Sequence, residues 1–205
     1  MLDIRIPNIK FSKKLTKRKI TSEIIIHCSA TKEGFDCKVE SIHRHHLKNG
    51  WSGIGYNYVI DINGTIWEGR PENTVGAHCT NHNSKSIGIC YVGGLGKDGK
   101  PKDTRNDKQL LAMAELCSYL HEKYPDATFH GHCEFANKSC PCFDVKSWIE
   151  TLNFDKKNVV EPNKSDSDIS DFNKEDNTNN TGKDECLQEK GFFSAIIEFF
   201  RNLFI

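Results

Sequence analysis

The first two thirds of the chain contain short apolar runs whose spacing predicts strands. Ile24, Ile25 and Ile26 form a β-branched run typical of a buried strand, and His27 follows it directly. Residues 56–69 alternate in polarity around Asn63-Gly64, a dipeptide strongly favoured in hairpin turns. Residues 86–94 and 127–132 predict two further strands.

Longer segments between these runs have helical spacing. Val39, Ile42 and Leu47 recur at that spacing within residues 38–49, and Asn49-Gly50 ends the pattern. Thr104 and Asp107 are predicted to open a second helix. Its apolar stripe comprises Leu110, Met113, Ala114, Cys117, Leu120, His121 and Tyr124. A last helix is predicted from about Asp144.

The order of these elements is strand, helix, hairpin, strand, helix, strand, helix. It predicts an α/β fold with a mixed central β-sheet and helices on its faces. We expect one catalytic domain over residues 21–153, preceded by a basic N-terminal arm (1–20). A polar linker (154–188), predicted to be disordered, and an amphipathic helical tail (189–205) should follow.

Charge is balanced overall, with 28 basic and 28 acidic residues, but residues 1–20 hold seven basic residues against Asp3 alone. Such an arm can contact nucleic acid or an anionic cell-wall polymer, although a solvated leader is the commoner case. We therefore expect no nucleic-acid partner. The arm lacks the apolar core and cleavage site of a signal peptide, which predicts synthesis in the cytoplasm. Nine cysteines, an odd number, favour reduced thiols there.

The end of the chain reads KGFFSAIIEFFRNLFI. On a helical wheel most of its Phe and Ile residues share one broad face, opposite Ser194, Glu198, Arg201 and Asn202. The segment is too short and too charged to span a bilayer. It predicts a helix at a membrane surface or against a partner helix, with docking onto the domain as the alternative.

Residues 130–142 contain two histidines and three cysteines. A structural zinc site usually includes paired ligands such as C-x-x-C, and the chain has no such pair. A catalytic zinc instead needs three ligands and an open fourth position. His27 and His132 end predicted strands, and the third ligand should lie in the loop with Cys140. Alternation puts His130 on the same face as His132, so spacing does not choose between them.

Four ordered motifs make the sequence similar to a known family. They are IIIHCSATK at 24–32, GWSGIGYNYVIDINGTIWEGR at 50–70, VGAHCTNHNSKSIGICYVGG at 75–94 and GHCEFANKSCPCFDVKSW at 131–148. Over residues 22–150 the chain resembles the zinc-dependent N-acetylmuramoyl-L-alanine amidases of phage-lysozyme type, which are related to peptidoglycan-recognition proteins. The resemblance implies hydrolysis of the amide between N-acetylmuramic acid and L-alanine in peptidoglycan, with Zn²⁺ as cofactor.

The same resemblance implies the site residues. Zinc ligands fall on His27, His132 and Cys140, and catalytic positions fall on Tyr56 and Lys138. In that arrangement the Lys138 ammonium would stabilise the negative charge that develops on the substrate carbonyl oxygen, and the Tyr56 phenol would hydrogen-bond the attacking water or that oxygen. The remaining members of the cluster, His130, Cys133 and Cys142, are expected to pack or to support the ligands.

Several assignments stay open. His78 lies in a loop that the family uses near the substrate groove, so it is either a substrate contact or a solvated histidine. His43, His45 and His46 are expected to be solvated or half-buried rather than a second metal site. Two alternatives to a zinc amidase are a non-catalytic peptidoglycan-binding module of the same fold and a cysteine amidase or peptidase using Cys28 or Cys140. Cys28 is expected to pack in the core, on the opposite side of its strand from His27.

Overall fold

The structure is a computed structural model that describes residues 2–154. Within this range the strands are β1 (Ile4–Arg5), β2 (Glu23–Cys28), β3 (Thr31–Lys32), β4 (Tyr58–Ile60), β5 (Ile66–Glu68), β6 (Ser86–Tyr91), β7 (Gly94–Leu95) and β8 (Thr128–Gly131). The helices of the same range are α1 (Val39–Lys48), α2 (Asp107–Lys123) and α3 (Val145–Thr151), with a 3-10 turn at His132–Glu134.

Six of these strands form one sheet in the order β1-β5-β4-β6-β2-β8. The β4–β5 hairpin is antiparallel and the other neighbours are parallel, so the sheet is mixed, as predicted. β3 and β7 form a separate parallel pair. Because β2 lies between β6 and β8, the chain segments that follow β2 and β8 leave the sheet at the same edge.

The predicted hairpin turn is present at Asn63-Gly64. Gly64 adopts a φ of 80°, in the left-handed region that favours glycine, and its N–H donates to the Asp61 carbonyl at 3.0 Å. The Asp61 carboxylate accepts from the N–H groups of Asn63 and Thr65 at 2.8 and 3.0 Å. This turn sets the register in which Ile60 pairs with Ile66.

The core lies on both faces of the sheet. On one face Val39 and Ile42 of α1 cluster with Val59 of β4 and Cys90 of β6. Tyr58, one residue before Val59, points to the other face, where its hydroxyl donates to Glu72 at 2.6 Å. In the predicted apolar stripe of α2, Met113, Cys117 and Leu120 are at 0 % exposure and Ala114 is also buried. The other members of the stripe are half-buried, namely Leu110, His121 and Tyr124. The predicted helices on the faces of a mixed sheet are thereby confirmed.

The start of α2 differs from its prediction by two residues. The N-cap is Asn106, whose side chain accepts from the Gln109 N–H at 3.0 Å, and the Gln109 side chain accepts from the Asn106 N–H. Thr104 instead accepts a hydrogen bond from the Gly94 N–H at 2.8 Å. Thr104 and Asn106 are both residue types that cap helices. The contact between Thr104 and Gly94 therefore determines which of the two is the N-cap.

β8 is shorter than its predicted length. It ends at Gly131, and His132 begins the 3-10 turn, so the alternation that would place His130 and His132 on one face stops before His132. The Glu134 side chain accepts from the Gly131 N–H at 2.6 Å and so caps this turn. His130 and His132 consequently have different surroundings.

Residues 2–20 do not form a solvated arm, and that prediction is wrong for them. β1 adds a strand to the sheet by pairing with β5. The Arg18 guanidinium donates to the carbonyls of Glu72, Thr74 and Ser86 at 2.7, 2.9 and 3.3 Å. Ile9 and Phe11 pack against the α1 side of the core. Apolar anchors between the lysines explain why a basic composition did not make the segment a leader.

The C-terminal boundary of the described domain is Phe154. Its ring stacks on those of His121 and Phe129, at centroid distances of 4.6 and 5.6 Å, so the domain extends one residue past its predicted end. Nearly all of the predicted linker (154–188) and the whole predicted tail (189–205) lie outside the described residues. Within residues 2–154, no helix has the length and apolarity needed to cross a membrane.

Candidate active site

The three predicted metal ligands come together at the edge where β2 and β8 end. His27 lies near the end of β2, His132 directly follows β8, and Cys140 lies in the loop beyond. One ligand atom from each residue lies within 4.8 Å of the other two. Parallel pairing of Ile26 with Gly131 places the two histidines side by side, with ring centroids 4.4 Å apart.

His27 is the most enclosed of the three, at 1 % exposure. Its Nδ1 faces the Cys140 Sγ at 3.9 Å, and its Nε2 lies 3.0 Å from the His78 Nδ1. Burial holds the pKa of His27 well below its ordinary value, and the nearby His78, His132 and Lys138 lower it further. Burial and Lys138 also lower the pKa of His132. Both imidazoles are therefore neutral near pH 7 and can offer a lone pair to a cation.

The donor set fits zinc. Two nitrogens and one sulfur are typical ligands of this ion, and a tetrahedral N–Zn–S arrangement separates its N and S atoms by about 3.5 Å. The observed His27–Cys140 separation of 3.9 Å is within a few tenths of that value. Cys140 Sγ also accepts from the Cys28 N–H at 3.2 Å, a contact that orients the sulfur beside His27.

The other members of the 130–142 cluster lie outside this group. His130 has its ring nitrogens 2.8 Å from Glu134 and from Thr128. Cys142 Sγ donates to the Gly94 carbonyl at 3.1 Å and lies 3.9 Å from the buried Cys28 Sγ. Cys133 is exposed and does not pack in the core, but its N–H donates to the Cys140 carbonyl at 2.7 Å, which fits the expected alternative that it supports the ligands.

Tyr56 lies next to the ligands, with its ring centroid 5.2 Å from that of His27. Burial raises the pKa of its phenol well above the ordinary value, and the neighbouring thiols of Cys90, Cys140 and Cys28 act in the same direction. The hydroxyl therefore remains protonated and is a hydrogen-bond donor.

Lys138 lies in the exposed loop that leads to Cys140. Its ammonium is close enough to His27 and His132 to lower the pKa of both rings. An exposed ammonium on a long side chain can approach a substrate that enters beside the histidines.

The environment of His78 matches neither of its two predicted roles, a substrate contact or a solvated histidine. It is 9 % exposed, which rules out a solvated loop histidine. One ring nitrogen faces His27 at 3.0 Å and the other faces the Ser86 hydroxyl at 3.4 Å. Because both nitrogens have protein neighbours, the structure does not support the prediction that His78 contacts substrate.

The expectation that the histidines of α1 are solvated or half-buried is wrong for His43 and His46, which support the site. His43 and His46 are buried, at 4 % and 7 % exposure, and their Nδ1 atoms accept from the N–H groups of Ile54 and Gly55 at 3.1 and 3.0 Å. Burial lowers the pKa of His46 to about 4, so it stays a neutral acceptor. Together they fix the backbone that leads into Tyr56. The only signal in the sequence was their helical spacing toward the apolar face of α1.

Comparison with known proteins agrees with this geometry. The family model described as N-acetylmuramoyl-L-alanine amidase matches residues 17–143, more than half of the chain. The chain belongs to this amidase family. The chain is 38 % identical over 138 residues to the endolysin of Enterobacteria phage K11, covering 67 % of this chain and 91 % of the relative.

Other relatives of this amidase include animal proteins and solved structures. The chain is 33 % identical over 129 residues to peptidoglycan-recognition protein SC2 of Drosophila melanogaster, covering 61 % of this chain and 67 % of the relative. The solved N-acetylmuramoyl-L-alanine amidase LysC from Clostridium intestinale superposes with a TM-score of 0.66 at 27 % identity, covering 74 % of this chain and 97 % of LysC. The resemblance to phage-type amidases and their recognition-protein relatives is confirmed.

Proposed function

We propose that the protein is a zinc-dependent amidase that cleaves the bond between N-acetylmuramic acid and L-alanine in peptidoglycan, in cell-wall lysis or remodelling. The observation that supports this most directly is the convergence of His27, His132 and Cys140, with one ligand atom from each within 4.8 Å of the others. Three protein ligands of this kind leave a fourth coordination position open, as in catalytic rather than structural zinc sites.

Zinc bound there would acidify a water molecule and polarise the substrate carbonyl. The protein's own groups would supply the rest. His27, His132 and Cys140 would hold the ion, and Lys138 would supply positive charge to the carbonyl oxygen as it becomes negative. Tyr56 donates a hydrogen bond from a phenol that burial keeps protonated. Preorganised donors of this type stabilise a transition state more than a ground state.

A non-catalytic peptidoglycan-binding module of the same fold is the main alternative. Such a module needs a groove but no complete ligand set. Here the three ligand residues are present and the two histidines have lowered pKa values, which favours catalysis. Cys28 is less well supported as a nucleophile, because its hydrogen bond with Cys140 and its burial raise the pKa of its thiol far above the ordinary value.

Metal content and activity test the proposal together. Purified protein is expected to contain one zinc per chain, to lose muropeptide cleavage with a chelator and to recover it with zinc. His132→Ala should lose both zinc and cleavage, because only two ligands remain. The matched control is His130→Ala, which should keep both since His130 contacts Glu134 and Thr128 instead. Full cleavage by metal-free protein would refute the proposal, and equal losses in the two variants would refute the ligand assignment.

We also propose, from sequence pattern alone, that residues 190–205 bring the enzyme to a membrane surface or to a partner helix. The apolar face of a Phe- and Ile-rich amphipathic helix would enter the lipid interface. Full-length protein should then float with anionic liposomes, whereas a chain ending at Asp184 should stay at the bottom. Sedimentation of both proteins would reject membrane binding and leave docking or self-association for the segment.

A further inference from the structure

We propose that His78 is a positioning residue: it fixes the tautomer and orientation of His27 so that the His27 Nδ1 faces the metal position. The inference rests on the proposed zinc site. It gives His78 a role that differs from the substrate contact predicted from the sequence. Its basis is a chain of hydrogen bonds that runs from the ligand, through His78, to a backbone carbonyl.

The donor and acceptor of each hydrogen bond in this chain can be assigned by starting from the His82 carbonyl. The Ser86 hydroxyl lies 2.8 Å from the His82 carbonyl, which can only accept, so Ser86 donates there. The Ser86 oxygen, 3.4 Å from the His78 Nε2, is then left to accept a proton from that nitrogen. A neutral His78 protonated at Nε2 has a bare Nδ1. That Nδ1 lies 3.0 Å from the His27 Nε2, which must therefore be the donor.

The consequence reaches the metal position. A neutral His27 with its proton on Nε2 has its lone pair on Nδ1, the atom that faces Cys140 at 3.9 Å. A ligand histidine that donates its second N–H to a fixed acceptor loses rotational freedom, and its ligating nitrogen becomes more basic. His78 provides that acceptor from within the fold.

The surroundings of His78 are built to hold its ring in this place. A Cβ atom added at Gly88 of β6, or at Gly76, would lie 2.5 or 2.4 Å from the His78 Cδ2, so both positions need glycine to leave room for the ring. The Asn83 side chain accepts from the N–H groups of His78 and Cys79 at 2.7 and 3.0 Å and so fixes the backbone. These contacts leave the ring little freedom to turn toward a substrate.

Two substitutions of similar size separate positioning from simple packing. In His78→Asn the side-chain oxygen can occupy nearly the place of the Nδ1 and accept from His27, whereas in His78→Leu no acceptor remains. Loss of such a supporting contact typically weakens metal binding by about 10–100-fold. We expect His78→Leu to weaken zinc binding by that factor and His78→Asn to stay several-fold closer to the wild type, measured by competition with a chromophoric chelator. Thermal unfolding of the metal-free proteins reports any loss of packing, which should be similar in both.

A second variant and a second readout keep the test decisive if His78→Leu fails to fold. Ser86→Ala removes the acceptor that sets the His78 tautomer and should weaken zinc binding several-fold, with an altered visible absorption spectrum of the cobalt-substituted protein. Equal zinc affinity of wild type and all three variants would overturn the role of His78, and so would equal weakening by Leu and Asn. Failure of the wild type itself to bind zinc would instead refute the proposed function, so the two failures are distinguishable.

Discussion

Tyr56 and Lys138 differ in how firmly the protein holds them. Tyr56 is enclosed beside His27 and follows a backbone fixed by His43 and His46, while Lys138 lies in an exposed loop. A fixed phenol acts as a preorganised donor, whereas a solvated ammonium must be ordered when substrate binds. The two groups should therefore contribute differently to kcat and KM.

We expect Tyr56→Phe to keep its zinc and to lower kcat by about 10²–10³-fold, the usual effect of removing one donor to the transition state. Lys138→Ala should also keep zinc but should lower kcat/KM with a larger share in KM. Steady-state cleavage of a muropeptide, with zinc content measured on the same samples, tests both. Unchanged turnover in the two variants would show that neither group acts on the transition state.

The ligand set illustrates what sequence can and cannot provide at this scale. Spacing along the chain left His130 and His132 equivalent, and only the resemblance to a family favoured His132. The structure separates them because β8 ends at Gly131 and Glu134 caps the turn that follows. The contact between His27 and His78 joins residues 51 positions apart, and neither periodicity nor local motif encodes such a pairing.

Among the elements, strands and helices were predictable because their periods are local, and their ends were not. The hairpin at Asn63-Gly64 and the start of α3 at Asp144 follow from residue types that suit a turn and an N-cap. The sequence predicts the start of α2 at Thr104, two residues early, because two residues that suit an N-cap lie close together. Thr104 instead accepts a hydrogen bond from the N–H of Gly94, ten residues earlier, and the cap is Asn106.

Glu72 joins several elements that the sequence did not connect. Its carboxylate accepts from the hydroxyls of Tyr58 on β4 and Tyr124 after α2, and Lys123 of α2 lies 2.9 Å away. Burial alone would raise the pKa of Glu72, but the hydrogen bonds from Tyr124, Tyr58 and Lys123 outweigh it and lower the pKa below its ordinary value. Protonation of Glu72 should therefore loosen the contact between α2 and the sheet.

The sign of the resulting pH dependence follows from this lowered pKa. A carboxylate whose pKa is lower in the folded state stabilises the fold above its unfolded pKa of about 4.3, and that stabilisation is lost as pH falls through the folded value. Glu72→Gln should lower the free energy of unfolding by about 1–3 kcal/mol at pH 7 and should flatten the decline below pH 4.3. Urea unfolding of both proteins from pH 7 to pH 3 tests this. Parallel curves at all pH values would mean that Glu72 has no part in the acid sensitivity.

At the scale of the whole molecule, the largest difference between sequence and structure concerns residues 2–20. Their charge pattern resembles that of a solvated leader. The net charge of a segment does not distinguish the residues that are exposed from those that contact the domain. Lysines such as Lys13 and Lys14 are exposed, whereas Phe11 packs on the core and Arg18 bonds three backbone carbonyls. One of those carbonyls belongs to Ser86, whose hydroxyl links His78 to the His82 carbonyl in the chain of hydrogen bonds behind His27.

This difference can be tested by substituting two basic residues of the same segment. Arg18→Ala removes one hydrogen-bond donor from each of the carbonyls of Glu72, Thr74 and Ser86, and we expect a loss of about 1–3 kcal/mol in the free energy of unfolding. Lys14→Ala removes the same formal charge from an exposed position and should change stability by less than about 0.5 kcal/mol. Urea unfolding at two salt concentrations separates the hydrogen bonds from general electrostatics, because screening affects exposed charges most. If both variants unfold like the wild type, the contacts made by Arg18 do not stabilise the domain. Its role would then be no different from that of a residue in a solvated leader.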